Sequence, residues 1–228
     1  MIKVENIDVW GFEHAIRGMR NPMNSWDKSD SKNGCCKPSN YTEHVSCDDC
    51  SYSEIDVPCK PYYQIDKNDL GLMRRLYKAG TEHRKYLRQI FVSFDITAPL
   101  YWWKEFDTYK VGTVANSCST MHKIHSKEFM LDDFSYEHLS GASLDHIEML
   151  IDWLNNCRKS YVEQKHKEDW WQMIQLLPSS YNQKRTITMN YENAITIIKQ
   201  RTGHKLDEWN EFVRILGLLP YIHEIMEE

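Results

Sequence analysis

The chain has 228 residues, 41% of them hydrophobic and 27% charged, with a formal net charge of −5. That is the balance of a soluble globular chain with one sizeable core or two modest ones, and nine glycines and seven prolines are too few for a fibrous or low-complexity protein. The mild acidity leaves no bulk footprint for nucleic acid or anionic membranes, so an anionic ligand has to be held by a local cluster.

Residues 2–10 (IKVENIDVW) alternate loosely and read as a first strand. They lack a basic flank followed by an apolar block, so they do not read as a secretory signal, and the expected location is cytoplasmic. No stretch approaches the ~20 apolar residues of a membrane span. After Gly11, the residues Phe12, Ala15, Ile16 and Met19 fall at helical spacing, and Pro22 enforces a stop. Residues 21–63 are rich in Asn, Ser, Asp, Pro and Cys and are too long for a plain connection, which marks an insert.

Asp69 is expected to open a second helix, with Leu72, Met73 and Leu76 on one side and Gly80 as its stop. The run 86–97 is the best strand, with Ile90, Val92, Phe94 and Ile96 on one face and Phe91, Ser93, Asp95 and Thr97 on the other. Pro99 is expected to start a helix at its first turn, with Thr97 available as a cap. Residues 111–126 are small and polar, a composition suited to close backbone approach. Ser143 is expected to cap a long helix whose apolar stripe is Leu144, Ile147, Ile151 and Leu154. Another helix ends at Pro178, a short strand-like run follows, and two helices joined at Thr202-Gly203 close the chain. Helices with a few strands give an α+β class: a mixed sheet with several long helices, in one domain over 1–228 that carries the Cys-rich insert.

Five of the seven cysteines, Cys35, Cys36, Cys47, Cys50 and Cys59, lie in that insert. A disulfide framework would need an oxidising compartment, which nothing else supports. Cys47-x-x-Cys50 with Cys35, Cys59 and nearby His44 offers enough soft ligands for tetrahedral zinc, and a metal would order a stretch poor in apolar residues. Only one C-x-x-C is present, so free thiols are the alternative.

The block AGTEHRKYLRQIFVSFDITAPLYWWKEFDTYKVGTVANSCSTMHK resembles the core of the flavin-dependent thymidylate synthases, the ThyX family. His83, the strand and the helix from Pro99 follow in the family's order. Thr108-Tyr109-Lys110-x-x-Thr113 then stands where the family has R-H-R-x-x-S, and Ala115-Asn116-x-Cys118-x-Thr120-Met121 where it has N-E-x-S-x-R-Y. Downstream, LLP (176–178), TMN (188–190) and RTGHKLDEW (201–209) resemble later family segments, the last keeping Arg201, His204 and Glu208. The resemblance implies a ThyX-type fold and a homotetramer with its site between subunits. It further implies reductive methylation of dUMP to dTMP with FAD, NADPH and methylenetetrahydrofolate. By position it assigns His83, Thr108, Tyr109, Lys110, Thr113, Asn116 and His204 to the flavin, and Cys118, Thr120 and Arg201 to the nucleotide.

The chain also departs from the family. Arginines that contact phosphates there become Thr108 and Lys110, the histidine becomes Tyr109, the glutamate becomes Asn116, and an arginine before the L-P pair becomes Ile174. A guanidinium grips phosphate through a planar fork, whereas an ammonium is a point charge and a hydroxyl carries none. His122, Lys123, Arg84, Lys85, Arg88, Lys184 and Arg185 are the nearby replacements. These changes motivate an alternative: a repurposed nucleotide-binding or protein-interaction module on the same fold. Trp102-Trp103 and Trp170-Trp171 read as core or subunit contacts rather than stacking platforms. Cys118 reads as a small buried residue, and Arg201, His204 and Glu208 either reach a ligand or brace two helices.

Overall fold

The computed structural model describes residues 2–34 and 62–227. These separate into two compact units, Met1–Asp8 with Val92–Gly217, and Val9–Phe91 with Leu218–Glu228. Cys35, Cys36, His44, Cys47, Cys50 and Cys59 lie outside the described residues. Among the described residues no group of three or more His, Cys, Asp or Glu could hold a metal ion. No helix among them is long and apolar enough to cross a membrane.

The first unit is built on a four-stranded sheet, β1 (Lys3–Trp10), β4 (Phe91–Pro99), β6 (Asn182–Asn190) and β5 (Thr113–Ser117), in that spatial order. Strand β4 alternates as its sequence demands: Val92, Phe94 and Ile96 are buried, while Ser93, Asp95 and Thr97 are half-buried on the other face. The strand begins later than expected because residues 85–89 form a 3-10 turn. Strand β6 runs nine residues where only a short run is visible in the sequence, and it pairs antiparallel with the edge strand β5, Thr113 opposite Met189 and Ser117 opposite Arg185.

Helix α3 (Leu100–Phe106) follows β4 directly. Pro99 ends the strand and occupies the cap position, and Thr97 does not cap. The first helical amides are satisfied instead by the chain leading into β6: Leu100 donates to the Tyr181 carbonyl and Tyr101 to the Ser179 carbonyl, each at 3.0 Å. Trp102, Trp103 and Phe106 of α3 are buried with Trp209 and Phe212 of α8 (Asp207–Gly217), Trp102 lying 4.8 Å from both Trp103 and Trp209 between ring centroids. Fully burying an aromatic or large aliphatic side chain contributes about 1.5–3 kcal/mol, so this cluster anchors α3 and α8. Helix α7 (Tyr191–Arg201) adds Ile195 and Ile197 to the buried set.

The long helix α5 (Gly141–Gln164) buries Ile147, Ile151, Leu154 and Cys157 against Met173 of α6 (Lys167–Leu176) and against Ile124, Phe129 and Phe134. Its cap position is Ser140 rather than Ser143, the two hydroxyls lying 3.3 Å apart.

In the second unit, α1 (Phe12–Arg20) packs on the 3-10 turn Lys85–Gln89. Gly11 enters it at φ 98°, and a Cβ there would sit 2.1 Å from the Gln89 carbonyl oxygen, so only glycine fits. Strands β2 (Lys32–Gly34) and β3 (Tyr62–Gln64) pair antiparallel, with Gly34 opposite Tyr62. Helix α2 spans Lys67–Lys78 and packs against α9 (Ile222–Met226). Asp69 does not open α2. The carboxylate of Asp66 accepts from the Lys67 amide at 2.8 Å, and Asp69 is fully buried inside the first turn. It accepts five hydrogen bonds, from Arg20 Nε (2.6 Å), the Ser29 and Ser31 hydroxyls, and the Asp30 and Ser31 amides. Burial alone would raise its pKa, but the hydrogen bonds from Ser31, Ser29 and Arg20 and the Arg20 charge hold it below the usual value.

Candidate functional site

The segment after β5 folds around a cavity of about 300 Å³. The chain reaches β5 through Gly112, whose φ of 74° lies in the left-handed region. Past β5, the Cys118 amide donates to the Lys184 carbonyl at 2.9 Å, and the Gln183 side-chain amide donates to the Cys118 carbonyl at 2.8 Å. The first bond extends the strand pairing by one residue, the second holds the Cys118 carbonyl, and Cys118, Ser119 and Thr120 then line the cavity. The Ser119 hydroxyl accepts from the His122 amide at 3.0 Å and starts α4 (Thr120–Lys123). Phe129 and Tyr181, ring centroids 6.4 Å apart, give the cavity an aromatic side, and the Asn182 side chain adds a polar edge. Cys118 is an exposed free thiol here and not the small buried residue its sequence context suggested.

Three lysines line the same cavity. Lys127 is paired with Asp133. Lys184 sits 3.2 Å from Asp95 and 3.7 Å from Glu5, and its hydrogen bond to Asp95 raises its pKa. Lys123 makes no ion pair among the described residues. Of the cations suggested as replacements for the family's arginines, Lys123 and Lys184 therefore converge, and Lys127 joins them. Lys127 lies in the bend after α4, where no helical spacing in the sequence could have flagged it. Arg185 does not join: it donates to Asp107 at 2.8 Å and to Gln183 at 3.0 Å and lies 4.2 Å over the Trp103 ring.

The half-buried face of the sheet beside Lys184 is a polar network. Asp95 accepts from the Thr186 hydroxyl (2.6 Å), from Asn6 (3.0 Å) and from Lys184. The Thr186, Asn6 and Lys184 hydrogen bonds, in that order, pull its pKa down to about 2. Asn116 is exposed on β5 opposite Thr186.

A second group of the sequence-assigned residues meets elsewhere in the unit. Glu105 of α3 receives Arg201 Nη1 at 2.5 Å and the Trp209 indole N–H at 3.0 Å, with His204 Nε2 at 3.5 Å. Arg201 also donates through Nε to the Tyr109 hydroxyl at 2.9 Å, and its guanidinium lies 4.4 Å over the Trp209 ring. The Tyr109 hydroxyl donates in turn to Gln200 at 3.0 Å, and the Thr108 hydroxyl to the Glu105 carbonyl at 2.7 Å. The Leu206 amide donates to His204 Nδ1 at 3.1 Å, and Nε2 of the same ring lies 3.1 Å from Arg201 Nη1. Glu208 is buried and accepts from the Tyr101 hydroxyl. Arg201, His204 and Glu208 thus brace α3, α7 and α8 against one another. Thr113 accepts from Asn193 at 2.9 Å, and Lys110 is exposed. His83 lies in the other unit, exposed in the turn after Gly80, its amide donating to the Gly80 carbonyl at 3.0 Å.

This architecture is that of the flavin-dependent thymidylate synthases, and the α+β expectation holds. The fold matches ThyX of Helicobacter pylori complexed with FAD and dUMP at a TM-score of 0.62, with 15% identity, covering 99% of this chain and 98% of that one. A second structure of that enzyme with FAD and dUMP gives 0.63 at 16% identity, over 100% and 98%. The UMP/dUMP methylase PolB of Streptomyces cacaoi, bound with 5-Br dUMP, matches at 0.56 and 13% identity, over 99% and 94%. No protein-family model and no curated protein matches the sequence.

Proposed function

We propose that this chain binds a uracil nucleotide, dUMP or a close relative, in the cavity after β5, and methylates it at the pyrimidine. The activity proposed is reductive methylation of dUMP to dTMP, with FAD, NADPH and methylenetetrahydrofolate as co-reactants, in a single ThyX-like cytoplasmic protein. The observation that carries the reading is the cavity of about 300 Å³ formed at Cys118, Ser119 and Thr120, where the resemblance assigns the nucleotide. Its composition suits that ligand class: an aromatic side for a base, side-chain amide and hydroxyl groups for the sugar and base edges, and ammonium groups for a phosphate.

Of the residues assigned to FAD, Lys110, Asn116 and His83, the last in the other unit, have side chains without a hydrogen-bond partner among the described residues. Thr108, Tyr109, Thr113 and His204 are already engaged. A diphosphate carries two negative charges and Lys110 is the one fixed cation among these seven, so the assigned residues of one chain do not fit FAD on their own. The proposal therefore includes a homo-oligomer in which a neighbouring copy completes the flavin contacts.

A second reading, a repurposed nucleotide-binding or protein-interaction module without flavin, is favoured by the engagement of Arg201 with Glu105 and Tyr109. A zinc-held insert through Cys35, Cys47, Cys50 and Cys59 belongs with it, and metal analysis of the purified protein tests that part. The visible spectrum of the protein as purified, paired with a thermal shift on adding dUMP, separates the readings. A flavin band and a dUMP-induced rise in melting temperature are expected. A colourless protein still stabilised by dUMP supports the nucleotide-binding module, and indifference to both dUMP and UMP overturns the synthase and the nucleotide-binding module alike.

A further inference from the structure

We infer that Lys123 is the residue that recognises the nucleotide's phosphate, and so sets the preference for a nucleoside monophosphate over the free nucleoside. The inference rests on the nucleotide-binding reading of the cavity and names the group within it that meets the charge.

Three lysines line the cavity, and the surroundings of their ammonium groups distinguish them. Lys127 is neutralised by Asp133. Lys184 stands between two carboxylates, Asp95 at 3.2 Å and Glu5 at 3.7 Å. A phosphate reaching either lysine would have to displace a carboxylate and would meet its negative charge. Lys123, exposed on the last residue of α4, has no ion-pair partner among the described residues and can meet an incoming anion without breaking anything. It stands among hydroxyls that complete such a contact. The Ser119 oxygen already accepts from the His122 amide, which leaves its O–H proton free to donate, and Thr120 lines the cavity beside it. The Ser126 hydroxyl donates to the Lys123 carbonyl at 2.7 Å and holds the backbone at that residue. An ammonium with two hydroxyls is a workable phosphate site, though a point charge rather than a fork. Recognition through it is sensitive to ionic strength, since exposed charges are screened within about 8 Å at physiological salt.

The test is titration calorimetry of the full-length protein with dUMP and with deoxyuridine, for the wild type, Lys123→Ala and Lys123→Arg. Loss of one charge-assisted contact corresponds to about a tenfold to hundredfold weakening. Lys123→Ala is expected to weaken dUMP by that factor, to leave deoxyuridine within about twofold, and to remove the salt dependence of dUMP binding. Lys123→Arg is expected to keep most of the dUMP affinity. Unchanged dUMP affinity in Lys123→Ala, or equal losses for dUMP and deoxyuridine, would overturn the inference while leaving the nucleotide reading standing. A wild-type protein that binds neither compound removes the nucleotide reading itself and this inference with it. Lys123 makes no ion pair that folding depends on, so an unchanged melting temperature confirms that the variants are folded.

Discussion

Arg201 and Lys123 are both cations set among polar side chains in the same compact unit, and the fold treats them in opposite ways. Arg201 is spent on the protein itself, with Glu105, the Tyr109 hydroxyl and the Trp209 ring all in contact with its guanidinium. Lys123 lines a cavity of about 300 Å³ and has no ion-pair partner among the described residues. The difference teaches where to look for ligand chemistry in a diverged fold. A charged residue that the sequence offers for a ligand can serve packing instead, and a charge without an ion-pair partner among the described residues is then the better place to test recognition.

The largest effect expected from breaking this contrast is on stability. Glu105→Ala strands the Arg201 guanidinium and the Trp209 indole N–H together, and a hydrogen bond to a charged group contributes about 1.5–3 kcal/mol. Urea unfolding of that variant should show a loss of about 2–3 kcal/mol, with dUMP affinity within about twofold of wild type. A variant of ordinary stability that no longer binds dUMP would place Arg201 at the ligand after all.

A smaller effect, dependent on pH, belongs to the network beside the cavity. The Asp95 pKa of about 2 lies below its ordinary value of 3.8, so the carboxylate's hydrogen bonds stabilise the folded state fully above the ordinary value. That stabilisation is lost as pH falls through the window from 3.8 toward about 2. Acid unfolding followed by circular dichroism should therefore be shallower across this window in Asp95→Asn than in the wild type. Coincident curves would mean that Thr186, Asn6 and Lys184 do not hold the charge.

The smallest effect is expected at Cys118. Replacement by Ser changes one exposed atom, so stability should move by no more than about 0.5 kcal/mol and dUMP affinity by no more than about twofold. A tenfold loss would show that the thiol itself takes part in recognition.

Much of the scaffold was legible because it follows from local rules. Val92, Phe94 and Ile96 alternate with polar residues, so β4 had to bury one face. Ile147, Ile151 and Leu154 recur at helical spacing, so α5 had to lie on a core. Positions decided by distant partners were not legible. Asp69 reads as a helix opener until Arg20, Ser29 and Ser31, more than 35 residues away in sequence, close on it. Thr97 reads as a cap until the carbonyls of Tyr181 and Ser179 take the amides that it would have served. Within the site, Lys123 and Lys184 could be suggested from sequence. What separates them is Asp95 and Glu5, and no spacing rule brings those carboxylates to Lys184 alone.

The small hairpin of the second unit gives the chain a port. Gly34 and Tyr62 are paired across β2 and β3, and neighbouring strands lie about 5 Å apart, so the chain leaves and re-enters at one place. Between strand ends held this close, closure entropy depends only weakly on the length of a connection, about 0.6 kcal/mol for each doubling. A protein engineer can use the same seam to splice in a foreign segment whose ends lie equally close.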